Sequence, residues 1–510
     1  MLSSRWLSVS LCITSIVFGG FQIAESEEPA SVLKSAFAER DITPEIGMER
    51  PGGYGKSYHT KLHDPCKVRA AVFDNGTDVT AVVSVDALLI RRQLVQSARK
   101  RIHEQTGIAS GAILIHATHS HSSGPTGMIY PGEYDFASEQ IQDLAYNKSS
   151  NANVGYVKHV EDQIVDSVVD AFNSREKSDV NFGIGHEGSV AFNRRFQMAN
   201  GLTYTHPRPG NPDIVKPAGP IDPEVGVIGV WNSEGILKGC VVNFSCHATT
   251  NPPGISANYI YFIEQVLRGT FGDQAVLVFL AGASGDVTQV ENVTPYAARP
   301  AVESARFVGG CVGAEVIKVL FREPKTDSVV VAHKSTELKI PRRLPSPQRV
   351  KKARELVAQE PSKIGASEWT FAKEVLLLDA KLKESPVADA EVQAIQIGPA
   401  ILLTDPAEFF VELGLAIKQE SDHPLTFPVS LANGCVGYVP TPQAFGQHGG
   451  GYETRLTSYS NLEINAGTKL VEAAVQFAKE LQPQAMPTRP PAATFSGQGW
   501  TYGSVPPEPE

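Results

Sequence analysis

The sequence predicts a mixed α/β (α+β) fold: central mixed β-sheets flanked by helices, with a metal site at strand ends. Three observations predict it. Short apolar runs alternate with amphipathic segments over most of the chain, without an internal repeat. Two of the apolar runs lead straight into histidines, at His119 and at His247. The 44 glycines and 35 prolines punctuate the chain into many loops, unlike a helical bundle. An apolar fraction of 42% and a charged fraction of 20% suit a globular chain with a sizeable core. A net charge of −10 with no basic cluster argues against nucleic acid or an anionic membrane surface as the main partner.

The first element is a secretory signal by its pattern. Arg5 precedes an apolar stretch at residues 6–18 that is too short to span a bilayer comfortably. Small residues Gly19, Gly20 and Ala24 follow, ahead of the acidic Glu25-Ser26-Glu27-Glu28. Residues 1–24 are expected to be cleaved, giving a secreted or periplasmic protein with no transmembrane segment in the mature chain. One folded unit is expected over 30–482 and a Pro-rich, disordered tail over 483–510.

Within that unit, strands at 68–74 and 78–90 flank Asn75-Gly76, a two-residue hairpin signal. A helix at 91–105 and a buried strand at 111–115 follow. A long helix at 157–173 then leads into a loop-rich stretch, 192–223. The pattern recurs with strands at 226–231 and 236–246 around a turn at Asn232-Ser233-Glu234-Gly235, a helix at 258–269 and a buried strand at 275–280. Two charged helices are expected over 346–382, strands at 391–397 and 400–404, a helix starting at Pro406 and a last helix at 465–481. The run Val375-Leu376-Leu377-Leu378 reads as a core-facing helix stripe. The five cysteines beyond the signal, Cys66, Cys240, Cys246, Cys311 and Cys435, are too sparse for a disulfide framework. Cys246 reads as a small buried residue at a strand end.

The chemistry concentrates in His116-Ala117-Thr118-His119-Ser120-His121, three of the 13 histidines within six positions. On an extended chain, residues two apart face one side, so His119 and His121 would address one site at the strand end. Imidazole is the commonest metal-binding side chain, but a hydrogen-bonded, histidine-rich loop would have the same sequence. His247, ending a second strand, makes a shared metal the better account. Glu408 lies in Asp405-Pro406-Ala407-Glu408, a helix-capping pattern that alone accounts for it, yet it also follows a strand. Tyr438 reads as a core or surface aromatic, Arg194 as a solvated charge, and Tyr452 sits in the glycine-rich Gly449-Gly450-Gly451-Tyr452-Glu453.

Taken together and in order, several segments resemble the neutral/alkaline, non-lysosomal ceramidases, zinc-dependent N-acyl amidohydrolases. They are Asp41-Ile42-Thr43-Pro44, Gly53-Tyr54-Gly55, His59-Thr60-Lys61-Leu62, Val68-Arg69-Ala70, Thr118-His119-Ser120-His121-Ser122, Asn193-Arg194, Cys246-His247-Ala248-Thr249, Gly285-Asp286-Val287-Thr288, Pro406-Ala407-Glu408-Phe409 and Gly437-Tyr438-Val439-Pro440. The resemblance implies that residues 30–482 form a catalytic domain. It implies zinc (Zn2+) held by His119, His247, Glu408 and Tyr438, and a substrate carbonyl met by His121, Arg194 and Tyr452. Thr288 would stand where the family has the serine of Gly-Asp-Val-Ser-Pro-Asn, followed here by Gln289-Val290. A more hindered secondary hydroxyl favours attack by metal-activated water over a covalent intermediate. Only residues 483–510 follow the last helix, where the family carries an immunoglobulin-like domain. That departure predicts an N-acyl lipid or N-acyl amine substrate more polar than long-chain ceramide. The rival expectations are a metal-dependent esterase or phosphoesterase, with Asp86 and Asp286 as ligands for a second metal, and a non-catalytic binding protein on a degenerate scaffold.

Overall fold

The computed structural model describes residues 32–494, 500 and 506–510. The expected signal segment lies outside them. Among the described residues a nine-stranded sheet runs Val276–Ala281, Leu237–Phe244, Glu224–Asn232, Glu176–His186, Lys34–Asp41, Lys67–Asp74, Val79–Val85 and Ile113–Ala117, with the short Lys325–Thr326 beside Glu176–His186. Its centre is antiparallel and each flank closes with a parallel pair, Val79–Val85 with Ile113–Ala117 and Leu237–Phe244 with Val276–Ala281. A parallel neighbour needs a crossover, which the helices Arg92–Thr106 and Tyr259–Phe271 supply. Gly107, at φ 78°, ends the first of them in the left-handed conformation that glycine adopts without strain.

Alternation along the strands sorts their side chains into two layers. Val83, Val85, Ile113 and Ile115 pack under Arg92–Thr106 and Val154–Asn173. Val227, Val242, Leu277 and Phe279 do the same under Tyr259–Phe271 and Ala301–Arg322. The opposite face, through Val82, Leu114, Phe182, Ile228, Val241 and Val278, meets Ile395, Leu402, Phe427 and Val429 of a second sheet. That sheet has four strands, ordered Val331–Pro341, Val387–Ile397, Ala400–Thr404, Leu425–Val429, and its last pair is again parallel. Val411–Glu420 and Ala466–Glu480 cover its far side. The result is an α/β/β/α stack, in which each fully buried Val, Leu, Ile or Phe contributes ~1.5–3 kcal/mol.

Most elements lie where the sequence predicts them, including Val375 to Leu378, which are buried in the helix Ala366–Glu384. The strands Lys34–Asp41, Glu176–His186 and Val331–Pro341 and the helix Ala301–Arg322 have no counterpart in the sequence reading, and four further details differ. The hairpin turn occupies Asn75 to Asp78, because the Asn75 side chain accepts both the Thr77 and Asp78 amides. The stretch 192–223 is not simply loop: Arg195–Met198 pairs with Thr203–Thr205 and Ile214–Pro217 in a three-stranded sheet. No helix starts at Pro406. Asp405 accepts the Ala407 amide, but the Glu408 amide donates across to the Gly437 carbonyl, and helix begins only at Val411. His119 is left-handed at φ 64°, so His119 and His121 do not share a side by extended alternation. They converge through a tight turn.

Candidate metal centre

The three parallel pairs all end at one place, and the loops leaving them are stitched together by backbone hydrogen bonds. Gly285 N donates to Phe409 O at 2.7 Å, His247 N to Val287 O at 3.1 Å, and Ser430 N to Ala281 O at 3.0 Å. His116, third histidine of the cluster, belongs to this stitching: its Nε2 accepts the Ala281 amide at 2.9 Å, and burial pushes its pKa down to about 3.

At the junction stand His119, His247 and Glu408, each almost wholly buried. His119 Nε2 lies 3.0 Å from His247 Nε2 and 3.2 Å from His121 Nε2. Glu408 Oε2 lies 3.1 Å from His119 Nε2 and 3.3 Å from His247 Nε2. Both Nδ1 atoms face carbonyl oxygens, Leu88 O at 2.8 Å and Ser284 O at 3.0 Å. A carbonyl only accepts, so each neutral ring carries its proton on Nδ1 and turns the Nε2 lone pair inward. Burial, with Arg194 and the other two rings nearby, pushes the His247 pKa well below its ordinary value and keeps that ring neutral. Glu408 Oε2 is itself buried without a hydrogen-bond partner.

Acceptors therefore face acceptors across about 3 Å, an arrangement that repels unless a cation stands among them. A tetrahedral zinc with bonds of ~2.0–2.2 Å sets its ligands ~3.3 Å apart, close to these separations. The residues fit a metal ion, and the three imidazoles group compactly enough to share one.

Beside this group lies a second. Arg194, expected on the surface, is buried because Glu453, itself fully buried, accepts its Nε at 2.9 Å. Its Nη2 donates to Gly285 O at 2.7 Å and to the hydroxyls of Tyr438 and Tyr452, each at 3.0 Å. The two tyrosine hydroxyls also hydrogen-bond to each other. Burial holds both phenols above their usual pKa, so they remain protonated donors. Tyr438 reaches the site because its backbone pairs with Glu408 in a two-residue parallel bridge.

His121 differs from the other two histidines of the group. Its Nδ1 has no hydrogen-bond partner among the described residues, so no carbonyl locks its tautomer. Gly52 packs against it so closely that a Cβ there would lie 2.4 Å from Nδ1. Thr288 is buried next to the strand end, but its hydroxyl accepts only the Val290 amide, at 3.3 Å. Asp86 and Asp286 are engaged elsewhere: Asp86 with Arg69 and the Lys67 amide, Asp286 with the Val411 amide and Asn193. Two residues that sequence reasoning missed complete the site. Glu453 holds Arg194, and Tyr459 donates to Glu408 Oε1 at 2.8 Å. Glu453 adjoins Tyr452 in the glycine-rich loop, which was its only signal; Tyr459 had none.

The fold and the buried cluster define an α/β protein with a group of histidines that could hold a metal ion. No protein-family model and no curated protein matches the sequence. Solved structures do. The neutral ceramidase from Pseudomonas aeruginosa is 18% identical, with a TM-score of 0.63 over 91% of this chain and 77% of that one. A ceramidase complexed with C2 is 17% identical, with a TM-score of 0.62 over 90% and 77%. The chain has the neutral ceramidase fold.

Proposed function

We propose that the protein is a ceramidase-like, zinc-dependent amidohydrolase that cleaves an N-acyl amide bond and acts outside the cytoplasm. The observation that carries the reading is the set of inward-facing lone pairs on His119, His247 and Glu408, set beside a buried Arg194 whose free edge meets two phenols. Likeness of fold to neutral ceramidases supports it.

His119, His247 and Glu408 would hold the metal, with Tyr438 adjoining them. A zinc ion bound there supplies Lewis acidity and lowers the pKa of a bound water towards ~7. Arg194, fixed by Glu453 and the Gly285 carbonyl, orients the substrate carbonyl and stabilises the charge that develops on its oxygen. The Tyr452 hydroxyl donates to the same oxygen. His121, its tautomer unlocked and its ring neutral because burial and the neighbouring His119 push its pKa down to about 3, is the group placed to pass the proton of the attacking water to the departing nitrogen. Thr288 shapes the wall of the site and forms no covalent bond. Asp86 and Asp286, both already engaged, do not hold a second metal.

Metal analysis of the purified protein should give about one zinc per chain, as for a mononuclear catalytic site. Hydrolysis of a panel of N-acyl lipids and N-acyl amino acids, alongside phosphoesters, checks the reaction class; turnover confined to phosphoesters would overturn it. Short-chain, soluble N-acyl amines should be cleaved faster than long-chain ceramide in detergent. His121→Ala should keep its zinc while losing activity by roughly 10²–10⁴-fold, the usual worth of a general acid–base. Loss of zinc in that variant would make His121 a ligand.

A further inference from the structure

Glu408 presents two carboxylate oxygens to different surroundings. Oε2 faces the histidine Nε2 atoms and has no hydrogen-bond donor, while Oε1 accepts the Tyr459 hydroxyl at 2.8 Å. A carboxylate is free to rotate about its last torsion unless something holds one oxygen. We propose that Tyr459 is a positioning residue for Glu408: its hydroxyl fixes the carboxylate plane and reserves Oε2 for the metal. The inference rests on the reading of Glu408 as a ligand.

Tyr459 is itself held from several directions. Its neighbour Ser458 donates to Glu374 Oε2 at 2.5 Å, and Glu374 is buried in the helix Ala366–Glu384 against Lys373 at 3.0 Å. The turn closes on itself, with Ser460 N donating to Thr457 Oγ1 at 2.8 Å and Asn461 Nδ2 to Thr457 O at 3.0 Å. Ser460 Oγ then accepts the Tyr438 amide at 3.2 Å, coupling the turn to the strand bridge that carries Glu408. Gly437 lets the turn approach: it lies at φ 80°, and a Cβ there would sit 2.1 Å from the Tyr459 carbonyl oxygen. The Tyr459 ring meets the Tyr438 ring edge-on at 6.2 Å. The other side of Tyr459 borders a polar cavity of about 400 Å³, lined also by Tyr54, Arg91, Glu133 and Lys381. Packing thus fixes the phenol before any metal arrives. Such outer hydrogen bonds to ligands typically carry 10–100-fold in metal affinity.

The test is zinc affinity, measured by competition with a chromophoric chelator on the full chain. Tyr459→Phe keeps the ring and its packing and removes only the hydroxyl; it should weaken zinc binding about 10–100-fold. The metal-free variant should keep wild-type circular dichroism. Ser458→Ala, which loosens the turn, should weaken zinc several-fold, and the double variant should bind like Tyr459→Phe alone. If the wild type binds no zinc, the reading of the site fails. If the wild type binds zinc and Tyr459→Phe binds it equally well, the positioning role alone is overturned. Should Tyr459→Phe not fold, Ser458→Ala decides: weaker zinc supports the role, unchanged zinc overturns it.

Discussion

The two flanks of the large sheet are built alike, and they spend their strand ends differently. Each is a hairpin, a crossover helix and a parallel strand: Lys67–Asp74, Val79–Val85, Arg92–Thr106 and Ile113–Ala117 on one side, Glu224–Asn232, Leu237–Phe244, Tyr259–Phe271 and Val276–Ala281 on the other. Each contributes histidine to the cluster, His119 with His121 from the first and His247 from the second, but from different strands. In the first flank His119 follows the crossover strand; in the second His247 follows the hairpin. The corresponding hairpin end in the first flank holds Asp86, and the corresponding crossover end in the second leads to Asp286. Both carboxylates look like ligands in the sequence, and both are saturated by protein donors. Asp86 accepts Arg69 at 2.8 Å and the Lys67 amide at 2.8 Å; Asp286 accepts the Val411 amide at 2.8 Å and Asn193 at 2.8 Å. Glu408 keeps one oxygen without a donor. A strand end offers a place, and the donors around it decide whether a carboxylate there holds the fold or a metal.

The sharpest way to break this comparison is to change the equivalent ends. His247→Ala and His119→Ala should each abolish nearly all bound zinc, read by elemental analysis; full retention in both would defeat the site. Asp86→Ala should do the reverse. It leaves Arg69 buried with only Glu264 opposite, at a cost of ~3–5 kcal/mol seen as a lower Tm, while zinc stoichiometry stays at the wild-type value.

The ion pairs behind Asp86 tie the first flank to Glu264 on the crossover helix of the second and give that junction an acid limit. Burial pushes Glu264 up, but Arg69, Lys67 and Arg268 outweigh it and bring its pKa from 4.5 to about 2. A folded-state pKa below the unfolded one adds stability above the unfolded value, and that stability is lost as pH falls through the folded value. Between pH 4.5 and about 2 the protein should lose ~3 kcal/mol through this group. Denaturant titrations across that window should show a shallower slope for Glu264→Gln. Subtracting the two curves separates Glu264 from Asp86, whose burial pushes its own pKa the other way.

The smallest effect belongs to Thr288. Its hydroxyl serves the Val290 amide, so Thr288→Ser should retain activity and Thr288→Ala should lose less than either histidine variant. A covalent acyl adduct trapped on Thr288 and found by mass spectrometry would overturn attack by water.

Local pattern was enough for much of the layers, though not for the strands Glu176–His186 and Val331–Pro341 or the helix Ala301–Arg322. Alternating and amphipathic runs betray strands and helices because burial on one face imposes its period on the chain, as in Val79–Val85 and Tyr259–Phe271. His119 and His247 were legible because histidine is scarce here and both follow apolar strands. What the sequence could not decide is anything settled by a distant partner. Asp405-Pro406-Ala407-Glu408 has the local signature of a helix start, and it loses to a single backbone bond from Glu408 to Gly437. Arg194 reads as a surface charge until Glu453, far along the chain, makes its burial tolerable. His119 and His121 converge through a left-handed turn rather than a strand. Asp86, Asp286 and Glu408 are three carboxylates near strand ends; the resemblance singled out Glu408, and only tertiary structure gives the physical reason, a carboxylate oxygen without a donor. Periodicity reports whether a side chain is buried; hydrogen-bond satisfaction depends on which groups the fold brings within about 3 Å, and those are not neighbours in sequence.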